Sequence, residues 1–178
     1  MGIRFRRPAL LNHALIHRSF RQSQTGREGV PKDDNETLEF LGDAVLGLVI
    51  SEELFRLYPA SSVGDLAKIK AQVVSRATLA QTAADLGLDE WILLGPGEMA
   101  RGEGHRPSVI GSTLEAVLGA AFLDRGLEAA ARLIRRLFKD EIEAVETGKT
   151  AADYKSLLQE YVLRYFKAIP EYRIVGES

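Results

Sequence analysis

The chain has 178 residues, with 23 Lys and Arg against 25 Asp and Glu, and its formal net charge is −2. Because it contains no cysteine, a disulfide scaffold, a thiolate zinc site and a cysteine nucleophile are excluded. The near-neutral charge argues weakly against a nucleic-acid-binding protein, which is usually strongly basic. The sequence lacks both a long uncharged apolar run and a signal-peptide pattern, so we expect a cytoplasmic protein.

Apolar residues recur at helical spacing along almost the whole chain, which predicts an all-α domain. A first helix is expected within residues 9–20, and the polar segment 22–34 contains Gly and Pro and is expected to be a loop. Asn35 is a typical N-cap residue for the next helix, which runs to Leu57 and ends before Pro59.

The second half of the domain is also predicted to be helical. One helix is expected from Ser62 to Gly87, where glycine suits the position after a helix C-terminus. Residues 94–107 hold four glycines and two prolines, which predicts a loop. Two further helices are predicted over 108–123 and 127–145.

The C-terminal residues differ from the rest in composition. After a short linker, 148–152, we expect one helix within 153–167 and one strand over 172–175. One helix and one strand cannot bury a core of their own. The predicted organisation is therefore a helical domain over 1–147, the linker, and an incomplete unit over 153–178.

Three acids form a stripe on the helix that follows Asn35. At 100° per residue, Glu36, Glu39 and Asp43 share an arc of about 60°, and no Lys or Arg stands three or four residues after any of them. A solvated helix edge is the ordinary interpretation of such a stripe. The alternative is a cation site, and oxygen ligands without His or Cys favour Mg²⁺ or Mn²⁺ over zinc.

Glu115 is the only charged residue between positions 108 and 123. A lone carboxylate in an apolar helix is costly unless it is paired or bound to a metal. Two hypotheses follow: Glu115 pairs with an arginine of the N-terminal region, or it faces the acid stripe and completes a metal site.

Several segments of the sequence resemble a known family. NETLEFLGDAVLGLVI, residues 35–50, resembles the signature motif of the ribonuclease III family. The segments 10–20, 94–98 and 112–124 resemble further blocks of that family in the same order, and 153–174 is similar to the start of its double-stranded-RNA-binding domain. The resemblance covers nearly the whole chain.

The resemblance implies a helical nuclease domain that forms a homodimer and hydrolyses double-stranded RNA with Mg²⁺, for which Mn²⁺ can substitute. The products would carry 5′-phosphate and 3′-hydroxyl ends, and the substrates would be structured precursors such as rRNA. It further implies that Glu39, Asp43 and Glu115 bind the metal and that Glu36 supports the site. Phe40 resembles the family's aromatic residue at the dimer interface.

This chain departs from the family pattern at two acidic positions. Ser112 stands where an Asp ligand is usual, and Val63 stands where Glu is common. These changes motivate an alternative, namely a catalytically impaired relative that binds structured RNA without efficient cleavage. Gln159 and Glu160 resemble residues that enter the RNA minor groove, but we do not expect a working site in an incomplete domain.

Several other residues admit a structural explanation. His13 and His17 are one turn apart, and capping and packing is favoured over metal binding. Trp91 and Ile92 are expected to cover the core. The predicted helix 127–145 carries a basic patch, interpreted as a solvated face or, alternatively, as a contact for the RNA backbone; it comprises Arg132, Arg135, Arg136 and Lys139.

Overall fold

A computed structural model describes residues 3–24, 33–102 and 106–146, together with residues 162, 163, 165 and 167. The α-helices of this part of the chain are α1 (Pro8–Ala14), α2 (Arg18–Ser23), α3 (Glu36–Leu57), α4 (Val63–Val73), α5 (Arg76–Asp85), α6 (Pro96–Ala100), α7 (Pro107–Arg125), α8 (Leu127–Leu137) and α9 (Lys139–Glu146). A short 3₁₀ helix covers Leu88–Glu90.

The all-α fold class predicted from the sequence is confirmed. In the described ranges the only strand-like feature is an isolated parallel bridge between Ile16 and Leu93. None of the described helices is both long and apolar enough to span a membrane. The predicted linker 148–152 and strand 172–175, and most of the predicted helix 153–167, lie outside the described residues.

Contacts divide the chain into two units, Met1–Ile142 and Glu143–Ser178. In the first unit the core is built around α3 and α7, which pack against each other more extensively than any other two helices. Both helices are apolar over most of their circumference and therefore need cover on several sides. Fully buried side chains of this core include Leu46, Ile50, Leu54, Leu114 and Leu118.

The prediction of one helix within residues 9–20 is wrong, because a tertiary contact interrupts it. Between α1 and α2, the N–H of Leu93 donates to the carbonyl of Leu15 at 2.8 Å, and the N–H of His17 donates to the carbonyl of Leu93 at 3.1 Å. A ring nitrogen of His17 then accepts from the N–H of Ser19 and caps α2. Between α1 and α2 the backbone therefore gives up helical hydrogen bonds and forms the bridge to Leu93 instead.

The prediction of one helix from Ser62 to Gly87 is also wrong, since it divides into α4 and α5. Ser75 starts the second helix, because its hydroxyl accepts from the N–H of Thr78 at 3.2 Å. Gly87 does follow the end of α5, with a φ of +64° in the left-handed region that favours glycine.

Two further boundaries differ from the sequence prediction. The segment 94–107 was expected to be a loop but contains α6, which Pro96 begins at a position where no N–H is needed. The predicted helix 127–145 divides into α8 and α9 at Phe138, whose side chain is fully buried. The bounds of α3 and α7 agree with the prediction within two residues at each end.

Candidate active site

The acid stripe of α3 and the lone acid of α7 line one cavity of about 400 Å³. Its lining residues are Glu36, Glu39, Phe40, Asp43 and Glu115. Three of the four carboxylates come from the first two turns of α3 and the fourth comes from α7. The structure thus brings together all four acids singled out in the sequence, with Phe40 beside them.

Two glycines allow α3 and α7 to approach closely enough for this arrangement. A Cβ atom at Gly42 would overlap the carbonyl oxygen of Glu115, and one at Gly119 would overlap the carbonyl oxygen of Leu38. The backbones are therefore in direct contact at the point where Glu115 leaves α7. Because Asp43 follows Gly42, this contact sets the position of Glu115 relative to the stripe.

The start of α3 is held by Asn35, which is buried. Its N–H donates to the carbonyl of Ile16 at 2.9 Å, and its side-chain amide donates to the carbonyl of Ala14 at 3.2 Å. Asn35 therefore occupies the predicted N-cap position but does not cap α3 with its side chain. It instead fixes the first turn of α3 against the segment between α1 and α2, and so positions Glu36.

The helix dipole partly compensates the acids at this end of α3. Glu36 and Glu39 lie in the first turn, where the partial positive charge of a helix N-terminus favours carboxylates by about 0.3–1 kcal/mol each. Asp43 and Glu115 lie beyond the first turn of their helices and gain less, because the effect fades within one turn.

The acids of the cavity have few cationic partners. Arg18 approaches Glu36 at 3.5 Å, but both side chains are exposed, and such pairs contribute little to stability. Glu39, Asp43 and Glu115 make no ion pair within 4 Å to any residue that the structure describes. None of the described N-terminal arginines therefore pairs with Glu115.

Burial raises the pKa of Glu115 to about 7, and the negative charges of Asp43 and Glu39 add to this rise. The positive charge of Arg76 acts in the opposite direction and is the smallest contribution. A carboxylate is pushed toward its neutral form when nearby like charges lack a cation between them. The cavity therefore carries negative charge that a bound cation would stabilise.

The chemistry of the donor set fits a hard divalent cation. All four acids offer carboxylate oxygens, which suit Mg²⁺ or Mn²⁺ and not the softer ions. With the side chains as they stand, no three His, Cys, Asp or Glu residues of the described segments converge closely enough to hold a metal ion. Ligation therefore requires side-chain rotation within the cavity.

Ser112 lies beside the acid stripe. Its hydroxyl donates to Glu39 Oε1 at 2.7 Å, across the contact between α7 and α3. The hydroxyl thus takes one acceptor position of Glu39 and holds the side chain in one orientation. Ser112 and Glu39 also line a second cavity, of about 260 Å³, which extends toward His17 and Arg18.

The two histidines of the N-terminal region have structural partners. His13 Nε2 lies 2.7 Å from the carbonyl of Asp34, to which it donates, and His17 caps α2. Burial, followed by the charge of Arg18, lowers the pKa of His17 below its ordinary value. This agrees with the capping and packing interpretation of both histidines.

The other residues singled out in the sequence lie elsewhere. Val63 is the first residue of α4, is 85% exposed and does not line either cavity described above. Trp91 is 66% exposed, so the prediction that it covers the core is wrong, whereas the same prediction for Ile92 is confirmed, since Ile92 is buried. Gln159 and Glu160 lie outside the described residues.

Asp124 is an important residue that sequence reasoning did not identify. Its carboxylate accepts from the N–H of Arg6 at 2.7 Å and from the N–H of Arg7 at 2.9 Å, and so joins the N-terminal segment to the end of α7. Burial alone would raise the pKa of Asp124, but these hydrogen bonds and the Arg7 side chain together lower it. The sequence signal that could have identified Asp124 is an acid at the end of an apolar helix.

Comparison with known proteins gives a consistent result. Residues 7–142 match the family model described as ribonuclease-III-like. Ribonuclease 3 of Treponema pallidum is 42% identical over 178 residues, which cover all of this chain and 69% of that protein. Ribonuclease 3 of Thermobifida fusca is 43% identical over 171 residues, which cover 96% of this chain and 69% of that protein.

Solved structures agree with the sequence matches. A structure of the nuclease domain of ribonuclease III from Campylobacter jejuni, concerned with flexibility in a region involved in dimer formation, is 38% identical with a TM-score of 0.69. The match covers 78% of this chain and 90% of the Campylobacter jejuni chain. The structure of Dicer from Pichia stipitis is 22% identical with a TM-score of 0.59, and the match covers 100% of this chain and 78% of that one. At this identity the likeness is one of fold alone.

The family matches agree with the residues gathered at the cavity, since the matched range contains both the acid stripe and Glu115. They also confirm the recognition made from the sequence motifs, including the enzyme class. The chain therefore belongs to the ribonuclease III family of endonucleases.

Proposed function

We propose that the chain is a divalent-metal-dependent endonuclease that hydrolyses double-stranded RNA to 5′-phosphate and 3′-hydroxyl ends. The observation that carries this proposal is the cavity in which α3 and α7 gather four carboxylates, three of them without a paired cation among the described residues. Membership of the family supports the substrate class. Precursors such as rRNA, cut in the cytoplasm, are the substrates we propose.

In this proposal Glu39, Asp43 and Glu115 hold the cation, with Mg²⁺ as the resident ion and Mn²⁺ as a substitute. When bound, the cation supplies charge neutralisation at the phosphodiester and makes water a better nucleophile at neutral pH. Glu36 lies at the rim, where it orients water and the RNA strand through hydrogen bonds. Ser112 acts on Glu39 by fixing the orientation of its carboxylate.

We further propose that two copies of the chain associate through the face that carries Phe40. This side chain is 81% exposed at the edge of the cavity. Exposing a large aromatic ring beside charged groups forgoes the free energy of its burial, which contact with a second subunit would recover. The nuclease domain of ribonuclease III from Campylobacter jejuni has a region involved in dimer formation, which supports association of two copies.

The domain boundaries remain part of the proposal. We assign residues 1–147 to the catalytic domain, 148–152 to a linker, and 153–178 to the beginning of a double-stranded-RNA-binding domain. The family model matches residues 7–142 and supports the first assignment.

One observation favours a second candidate function. Ser112 brings a neutral hydroxyl to the cavity edge and occupies one oxygen of Glu39, where the family pattern has a carboxylate. A site with one ligand fewer binds metal less tightly, so an impaired relative that binds structured RNA is the alternative. The two candidates differ in one measurable property, which is metal-dependent cleavage.

The test is incubation of the purified chain with a perfect RNA duplex over a range of Mg²⁺ and Mn²⁺ concentrations. Cleavage to 5′-phosphate ends supports the endonuclease, whereas retained binding without cleavage at any metal concentration supports the alternative.

The first prediction concerns Glu115, the acid contributed by α7. Glu115→Gln keeps the shape of the side chain but removes its charge, and cleavage should fall about 100-fold or more because charge stabilisation by a metal contributes several kcal/mol. Circular dichroism should show an unchanged fold. The matched control is Glu90→Gln, an exposed acid at the end of the 3₁₀ helix. Full activity of the Glu115 variant would disprove the assignment of this site.

A further inference from the structure

A third cavity, of about 280 Å³, lies at the C-terminal end of α7. It is lined by Ile3, Arg4, Arg125, Ala129, Arg132, Leu133 and Arg136. Four of these residues are arginines, and none of the described lining residues is acidic. We call this site the arginine cavity.

The sequence arranges these residues on matching faces. Four of the lining residues follow one another at helical spacing on α8 and so share one side of that helix: Ala129, Arg132, Leu133 and Arg136. Leu133 is buried and forms part of the floor, while the arginines are found at the rim. The cavity is therefore open to a ligand and charged where a ligand would enter.

Hydrogen bonds fix the N-terminal side of the arginine cavity. Arg125 Nη1 donates to the carbonyl of Arg4 at 2.8 Å, which holds the two residues together. Asp124 accepts from the N–H groups of Arg6 and Arg7 and anchors the same segment to α7. The arrangement is thus part of the fold and does not depend on mobile side chains alone.

The observed contacts of Arg125 and Arg132 leave much of the positive charge of these two residues uncompensated. The partner of Arg125 is a carbonyl oxygen, which carries no net charge. Arg132 lies 3.7 Å from Glu128, but both side chains are exposed, and such pairs contribute little. Positive charges that line one cavity repel one another, and an anion bound between them would relieve that repulsion.

Arg135 provides a useful contrast within the same helix. It donates to Glu53 at 2.7 Å and to Glu52 at 2.8 Å, and so ties α8 to α3. The basic patch predicted from the sequence is therefore divided: Arg135 is a structural ion pair, whereas Arg132 and Arg136 face the arginine cavity.

The arginine cavity is separate from the acid site. Arg125 follows Glu115 by ten residues on α7, which corresponds to about 15 Å along the helix axis. Holding one water molecule takes roughly 10–15 Å³ of such volume, so this cavity admits an anion together with several waters. Planar guanidinium groups bind phosphate oxygens in pairs, which makes arginine the residue best suited to this anion.

We propose that the arginine cavity binds a phosphate group at a position remote from the cleavage site. Two sources offer this chemistry, a backbone phosphate of duplex RNA and a free phosphate or pyrophosphate. The first source rests on the proposed function, because it makes the cavity an additional contact for the substrate. The second does not depend on it.

The experiment compares the full chain with the double variant Arg4→Gln/Arg132→Gln. The matched control is Arg56→Gln, which also removes an exposed arginine from an intrahelical pair, here with Glu53, but does not line the cavity. Thermal melts with and without inorganic pyrophosphate test the free anion. Binding of a short RNA duplex in EDTA, measured at several KCl concentrations, tests the backbone without turnover.

If the backbone is the ligand, the plot of log K against log salt should become shallower in the double variant. The slope should change by about 0.9 for each phosphate that the variant no longer neutralises, the value for B-form DNA. If free pyrophosphate is the ligand, it should raise the melting temperature of the parent and of Arg56→Gln but not of the double variant. Equal behaviour of all three proteins in both arms would overturn the proposal. Absence of RNA cleavage with either response intact would overturn only the proposed function.

Discussion

At the scale of single residues, the acid site is shaped by small differences in the surroundings of each carboxylate. Glu36 is at the rim with an exposed arginine beside it, whereas Glu115 is half-buried next to two like charges. Glu39 differs again, since a serine hydroxyl donates to it. The same functional group thus meets a different environment at each position, and at Glu115 burial and neighbouring charge raise the pKa.

Ser112→Asp should restore a carboxylate where the family pattern has one. We expect a lower stability in EDTA, since another negative charge joins Glu39, and tighter metal binding by about tenfold or more, the effect usually seen for groups next to metal ligands. Isothermal titration with Mg²⁺ measures the second effect.

Ser112→Asn is the matched control for that variant, because it has nearly the size of Asp without the charge. If the Asp and Asn variants bind Mg²⁺ with equal affinity, the charge at this position has no role in the site.

Asp124 gives a prediction for the dependence of stability on pH. Its pKa is lowered in the folded chain, so its contribution is fully present above the ordinary value of 3.8 and is lost as the pH falls through the folded value. Asp124→Asn should therefore reduce the urea midpoint by a constant amount from about pH 7 to pH 5. Below about pH 4 the difference from the parent should shrink.

The control for this measurement is Asp85→Asn, which alters an exposed carboxylate at the end of α5 that accepts from the side-chain amide of Gln81. It should change the free energy of unfolding by about 0.5 kcal/mol or less at each pH. A gap between parent and Asp124→Asn that stays constant down to about pH 3 would contradict the role assigned to the carboxylate.

At the scale of elements, the contact between α3 and α7 does most to form the site. Helix backbones seldom touch, since side chains usually keep axes about 8–10 Å apart. Here glycines at positions 42 and 119 remove the intervening Cβ atoms. As a result, acids from two distant parts of the sequence face one cavity, and neither helix alone provides more than part of it.

Gly42→Ala should separate the two helices and displace Glu115. A new methyl group would overlap the Glu115 carbonyl, and overpacking of this kind costs typically about 1–3 kcal/mol, here with backbone on both sides. We expect a lower free energy of unfolding together with loss of cleavage, measured by urea denaturation and by the duplex assay.

Gly47→Ala is the control within the same helix. Its Cβ would meet only the flexible end of Lys70, at 3.3 Å from Nζ, so the helix propensity of alanine should stabilise the protein by about 0.5–1 kcal/mol. If both glycine variants behave alike, the close approach at Gly42 does not control the site.

At the scale of the whole molecule, association of two chains would bring two acid cavities onto one surface. Phe40 is a single exposed ring beside the cavity, and it would lie at the subunit contact. A dimer held in this way would couple the position of each acid site to the integrity of the other subunit. Oligomeric state and activity should then change together.

Phe40→Ala should weaken the proposed dimer by about 3 kcal/mol or more, within the range found for aromatic residues central to an interface. Sedimentation velocity at micromolar concentration should show a shift toward monomer. Trp91→Ala removes another exposed aromatic ring, one that does not line the acid cavity, and should leave the sedimentation coefficient unchanged. Equal sedimentation of parent and Phe40→Ala would rule out this contact.

The sequence by itself determined the family, the all-α class and the identity of the acids. These follow from local information, because helical spacing places Glu36, Glu39 and Asp43 on one side of α3 whatever surrounds it. A lone charge in an apolar helix likewise singles out Glu115. Breaker residues bounded α3 well, with its end before Pro59.

Only the tertiary structure decided how these pieces are joined. The break after α1 arises from a bridge to Leu93, and the anchor at Asp124 from the N–H groups of residues more than a hundred positions earlier. The same holds for Arg135, which pairs with α3, and for Arg132, which faces the arginine cavity. Charge, burial and pKa depend on which distant groups become neighbours, and local periodicity carries no information about that.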